Sequence, residues 1–151
     1  MQALTVEVLP VAFDRVNSGW LPRLQPYAYQ ARVYTSVREA LDRCQTLCLF
    51  ITTPTGSGKT LASYAYTIRH QTPAFGVYPT NELIRDQERA LKRWIDPNQE
   101  YHLLRVDSAQ LDDWQSKLDL QRHSETLEHL LNWEPTILTN PDILFYIGFG
   151  A

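Results

Sequence analysis

Apolar and polar positions change their rhythm several times along the chain, and each change predicts an element. Residues 4–9 (LTVEVL) alternate loosely, as a short strand does. Residues 14–25 hold Asn17, Ser18, Gly19 and Pro22 and read as a loop. From Pro26 the rhythm turns helical. Tyr27, Ala31, Tyr34, Val37, Leu41 and Cys44 recur at steps of three and four, and Pro26 sits where a first helical turn tolerates it. Residues 46–53 (TLCLFITT) form a continuous apolar and β-branched run, the pattern of a strand buried on both faces. After a short glycine-rich stretch, Leu61, Ala62, Tyr64, Ala65 and Ile68 mark a second helix.

Residues 74–78 (AFGVY) read as a strand closed by Pro79. Thr80 or Asn81 then caps a helix with Leu83, Ile84, Leu91, Trp94 and Ile95 on one face, ended by Asp96-Pro97-Asn98. Residues 101–106 (YHLLRV) are a third strand candidate after the glycine-rich stretch's own strand and 74–78. Two short helices follow, one with Leu111, Trp114 and Leu118, the other capped by Ser124 with Leu127, Leu130 and Leu131. Residues 136–139 (TILT) are a fourth strand, and Asn140-Pro141-Asp142 supplies an N-cap, a first-turn proline and a first-turn acid. Strands alternating with helices predict an α/β domain with a mainly parallel sheet flanked by helices.

Composition narrows the class without naming it. The 151 residues are 44% hydrophobic and 21% charged, ordinary globular usage. The net charge of −3 gives no global pull toward nucleic acid, so any such contact must come from local donors. Cys44 and Cys48 are too few for a disulfide framework or a zinc site and read as small core residues. The four histidines, His70, His102, His123 and His129, show no ligand spacing, and the four tryptophans read as packing residues. With no apolar run long enough for a membrane and no signal-peptide pattern, a cytoplasmic setting is expected.

The chemistry concentrates in Thr53-Pro54-Thr55-Gly56-Ser57-Gly58-Lys59-Thr60. A triphosphate needs many donors in a small space, and backbone N–H groups supply them where glycines let the chain wrap closely. The following helix aims its N-terminus at the anion. Lys59 is placed to reach the outer phosphates, and the Thr60 hydroxyl to hold Mg²⁺. Thr55, Gly56, Ser57 and Gly58 complete the expected ATP cradle. Thr53 stands where the general phosphate-loop pattern has glycine.

Three further segments choose among the many proteins with such a loop. Gln30, after Tyr29, offers a donor and an acceptor to an adenine edge. Tyr78-Pro79-Thr80-Asn81-Glu82-Leu83-Ile84-Arg85-Asp86-Gln87 sits at a strand end and opens a helix whose free N–H groups, with Thr80, suit a backbone phosphate. Thr139-Asn140-Pro141-Asp142 repeats that arrangement. Pro79, Thr80, Asn81, Arg85, Thr139 and Asn140 are therefore the candidate nucleic-acid contacts, reading sugar and phosphate and not sequence.

The order of these segments is that of superfamily 2 helicases of the DEAD/DEAH type. The runs ITTPTGSGKTLASYAY, VYPTNELIRDQ and ILTNPDIL resemble the CRISPR-associated Cas helicases of type I interference systems, the type I-D (cyanobacterial) subtype in particular. The resemblance covers most of the chain from Gln30 to Leu144. It implies a RecA-like P-loop NTPase fold and ATP-driven 3′-to-5′ movement on single-stranded DNA. It also implies action with a Cascade complex and a separately encoded nuclease, since no His-Asp pair precedes Gln30 here.

No Asp-Glu-Ala run occurs in the sequence, so the motif II that activates water in this class is missing. The expected organisation is a strand and loop over residues 1–25, then a partial first motor domain over residues 26–151 that stops before motif II. Such a chain should bind nucleotide without hydrolysing it or unwinding a duplex. Its C-terminal helix should leave apolar surface bare near Ile143, Phe145, Tyr146 and Phe149. Two other readings stay open: a small complete P-loop NTPase with Asp107 as its Walker B acid, or a non-catalytic motor domain kept as a binding or regulatory partner.

Overall fold

In the computed structural model, residues 12–17, 25–95, 102–107, 111, 113, 116, 125 and 136–149 are described. The strand expected at residues 4–9 lies outside them, as does most of the two short helices expected after residue 110. Of that stretch, Leu111, Asp113, Ser116 and Glu125 are helical. The chain divides into two compact units, Met1–Arg69 and His70–Ala151.

In the first unit, helix α1 (Ala28–Asp42) begins at Tyr27, whose backbone is extended. The free N–H groups of a helix start need acceptors. Here the Tyr27 N–H donates to Gln30 Oε1 at 2.8 Å, and the Ala28 and Tyr29 N–H groups donate to the carbonyls of Asp14 and Ala12. The segment at residues 12–17 thus lies antiparallel to the helix entry, with a bridge between Arg15 and Tyr27. Pro26 is buried and precedes the capping residue, two steps before the first helical position expected for it. The far end closes by a Schellman turn: the Gln45 N–H reaches Ala40 O at 2.8 Å and the Cys44 N–H reaches Leu41 O at 3.0 Å. This puts Cys44 at φ 51, the left-handed position that glycine normally takes.

Helix α2 (Lys59–His70) buries Leu61, Ala62, Tyr64, Ala65, Thr67 and Ile68, which includes all five apolar residues that predicted it. The Tyr34 and Tyr66 rings meet at 5.5 Å, and burial pushes the Tyr34 phenol above its ordinary pKa. Residues 46–53 correct the reading of the sequence: they form no strand, and Thr46 to Phe50 are exposed, Phe50 at 81%. A strand buried on both faces needs hydrogen-bonded neighbours at its edges, and no ladder among the described residues includes this run. Cys44 and Cys48, expected in the core, are exposed, the first in the turn that closes α1 and the second within this run.

The second unit holds a three-stranded parallel sheet in the order β1-β3-β2, with β1 at Ala74–Val77, β2 at Leu103–Arg105 and β3 at Thr136–Thr139. All four residues of β3 are buried, as its apolar run requires of a central strand. Helix α3 (Asn81–Lys92) lies against β2 and β3 and buries Ile84 and Leu91. Leu83 stays exposed, and Trp94 and Ile95 fall in the turn beyond the helix. Glu82 in its first turn and Arg89 and Lys92 in its last complement the helix dipole.

Val106, Leu111, Ile137 and Ile143 form a core cluster with Leu104 against it. Ile143 belongs to helix α4 (Pro141–Phe149) and is therefore covered, not bare; Phe145 and Tyr146 of the same helix are exposed, as expected. Glu88 ties α3 to β2, meeting Lys92 Nζ at 2.7 Å and Arg105 at 3.9 Å.

Candidate functional site

The phosphate-loop residues take the shape their sequence calls for. Gly56 and Gly58 lie at φ +79 and φ +84, where a side chain is strained. At Gly58 space matters as well, because an added Cβ would run into Gln30 Nε2. Gly58 leads into α2, and its carbonyl accepts the helix's first bond from the Ala62 N–H at 3.1 Å. The N–H groups at the start of α2 are thereby left pointing out of the helix end.

Side chains close the rest of the loop. The hydroxyls of Thr53 and Ser57 share a hydrogen bond of 2.6 Å, so threonine in the place of glycine adds a clasp across the turn. Lys59 Nζ donates to the carbonyls of Thr53 and Pro54 at 2.7 and 2.9 Å. The ammonium therefore lies over the loop that the sequence assigns to phosphate. Thr60 is half-buried at the second residue of α2, and Thr55 is exposed at the loop's turn.

Helix α1 supplies two further holds. Gln30, 2% exposed, donates from Nε2 to Gly58 O at 3.0 Å while its Oε1 accepts from Tyr27 N. Both ends of the amide are thus engaged within the protein. Tyr29, a residue to which the sequence reading gave no role, donates its hydroxyl to Ser57 O at 2.6 Å. Its ring is steadied by Phe13, edge-on at 6.0 Å, and by Tyr27, stacked at 6.3 Å. The Arg15 guanidinium lies 4.0 Å over the Tyr27 ring. The run of aromatic residues around Gln30 was the only sign of this cluster in the sequence.

The group at hand fits a polyphosphate: two loop glycines in the left-handed region, a helix N-terminus, and an ammonium over the loop. With nucleotide and Mg²⁺ bound, the loop N–H groups and Lys59 would hold the phosphates and Thr60 the metal. Among the described residues no cluster of His, Cys, Asp or Glu stands ready to hold a metal by itself.

The second unit brings two helix starts together at the carboxyl ends of β1 and β3. Thr80 caps α3, its hydroxyl accepting the Leu83 N–H at 3.3 Å. Asn140 caps α4, its Oδ1 accepting the Ile143 N–H at 2.9 Å. The Asn140 Nδ2 donates to Asn81 Oδ1 at 3.4 Å, linking one start to the other. Pro79, Thr80, Asn81 and Arg85 are exposed, and Asn140 is half-buried. Thr139 is different: it is 1% exposed, and its hydroxyl donates inward to Val106 O at 3.1 Å. Asp107, the rival Walker B acid, follows β2 half-buried, with its carboxylate 4.0 Å from Arg105 Nε. No helix among the described residues is long and apolar enough to cross a membrane.

A glycine loop in the left-handed region running into a helix start, together with a parallel sheet whose strand ends carry capped helices, defines a P-loop α/β protein. The sequence profile of the DEAD/DEAH box helicases matches residues 27–144. The chain belongs to that family, and so to the RecA-like P-loop fold and to helicase-type, ATP-dependent nucleotide-binding proteins that act on nucleic acid. Domains of this family use ATP with Mg²⁺. No curated protein and no solved structure gives a significant match to the chain.

Proposed function

We propose that this chain is the nucleotide-binding front part of the first motor domain of a helicase or translocase that follows single-stranded DNA in type I CRISPR interference. The phosphate loop carries the reading, with Gly56 and Gly58 in the left-handed region and Lys59 lying over the loop carbonyls. In that role Thr55 to Lys59 embrace the phosphates of ATP and Thr60 holds Mg²⁺. Thr80, Asn81, Arg85 and Asn140 meet the DNA backbone at the two linked helix starts. Thr139 contributes by holding the strand end beneath them. The 151 residues contain no Asp-Glu-Ala run, so binding without turnover is expected of them alone.

The test is a titration of the chain with a fluorescent ATP analogue and Mg²⁺, beside Lys59→Ala, with folding of both checked by circular dichroism. A charge-assisted bond lost to Ala should weaken binding about ten- to a hundredfold. Equal binding by the two proteins would remove the phosphate loop from the account. Steady-state ATP hydrolysis by the chain, lost in Asp107→Asn, would favour the compact NTPase. The CRISPR assignment rests on the resemblance of the three motif runs. Its test is whether the full helicase binds a type I Cascade complex loaded on target DNA; failure to bind any such complex would leave only the general helicase reading.

A further inference from the structure

We propose that Tyr29 is a positioning residue for the phosphate loop, which together with Gln30 sets the direction of two backbone N–H groups that meet the anion. The inference rests on the nucleotide-binding reading above and adds a residue to it. In a planar trans peptide the carbonyl and the following N–H point in opposite directions. The Tyr29 hydroxyl holds Ser57 O at 2.6 Å, so it also aims the Gly58 N–H the other way. Gln30 Nε2 holds Gly58 O at 3.0 Å, beside the Ala62 N–H, and so aims the Lys59 N–H. Without these holds the peptide planes around Gly56 and Gly58 would turn easily, because glycine tolerates both signs of φ. A flip of the plane between Ser57 and Gly58 would withdraw a donor and present a carbonyl oxygen to the phosphate.

The anchors are themselves fixed. Tyr29 is 7% exposed and Gln30 2%. The Tyr29 ring sits against Phe13 and Tyr27, and Gln30 Oε1 is tied to the start of α1 through Tyr27 N. The loop is thus organised before any ligand arrives, and the affinity gained should be indifferent to the base, because both holds act on the phosphate cradle.

A baseless probe separates this from recognition of adenine. Inorganic tripolyphosphate, ATP and GTP are titrated, each with Mg²⁺, into the full chain and into Tyr29→Phe, which keeps the ring and removes only the hydroxyl. The loss of one buried hydrogen bond should weaken all three by the same factor, about three- to tenfold. The ¹H–¹⁵N resonances of Gly58 and Lys59 in the ligand-free chain should shift or broaden, while the melting temperature shows whether the fold is kept. Unchanged affinities, or a loss confined to ATP, would overturn the proposal. Binding of none of the probes by the unsubstituted chain would overturn the nucleotide reading itself, and this inference with it. Should Tyr29→Phe melt early, Gln30→Glu gives the second test. A carboxylate cannot donate to Gly58 O, and it too should weaken tripolyphosphate; undiminished tripolyphosphate binding with a fallen ATP preference would assign Gln30 to the base and overturn its place here.

Discussion

Residues 46–53 and residues 136–139 are the two most strand-like runs in the chain, TLCLFITT and TILT, and they meet opposite fates. The second is β3, paired on both sides and buried at every residue. The first is unpaired among the described residues, and its phenylalanine is 81% exposed. Local β-propensity is the same in kind for both. What differs is the company: β3 has β1 and β2 in register along its two edges, from Ala74 opposite Thr136 to Val77 opposite Thr139 on one side. Strand character therefore belongs to a set of neighbours, and a run of apolar residues only offers itself for selection.

The sharpest way to break the comparison is to cut equivalent side chains from the two runs. Ile137→Ala, in the filled core of the second unit, should cost about 2–5 kcal/mol in denaturant unfolding. Phe50→Ala should change stability by less than about 0.5 kcal/mol. Comparable losses at both positions would mean that residues 46–53 are paired in solution after all. Hydrogen exchange gives the same contrast without mutation, with slow amides in β3 and fast ones over residues 46–53.

A smaller effect tests the ends of the strands. Asn140→Ala removes the cap of α4 and the link to Asn81, and should cost about 1 kcal/mol, read as a drop in denaturation midpoint. No change would show that water replaces the cap without loss. Smaller still is a gain just before the unpaired run. Cys44→Gly relieves a left-handed non-glycine residue and should stabilise the chain by about 0.5–1 kcal/mol, with the melting temperature as readout. A loss there would mean that the cysteine side chain makes a contact worth more than the strain.

Much of the architecture was legible in local signals. TILT predicted β3 to the residue, Thr80 and Asn140 were legible as caps, and the spacing of Gly56 and Gly58 placed the loop. Each of those depends on a few adjacent residues. The remainder depends on distant partners. Whether residues 46–53 find a ladder is settled by strands far away in sequence. The hydroxyl of Tyr29 meets a carbonyl 28 residues on, and nothing in the string YAYQ announces that. Thr139 looks like its exposed neighbours in the motif, yet strand register turns its hydroxyl inward to Val106 O, 33 residues back.

That inward turn makes the carboxyl end of the sheet a mechanical junction. Val106 N–H donates to Leu138 O and Tyr78 N–H to Thr139 O, so pairing runs on past the ends of β2 and β1, and the Thr139 hydroxyl adds a third tie. The starts of α3 and α4 rise from this knot and are themselves joined through Asn81 and Asn140. A force applied at either start is shared by all three strands. The pair should therefore shift as one stiff piece, keeping the interval between its two capping residues, Thr80 and Asn140, constant.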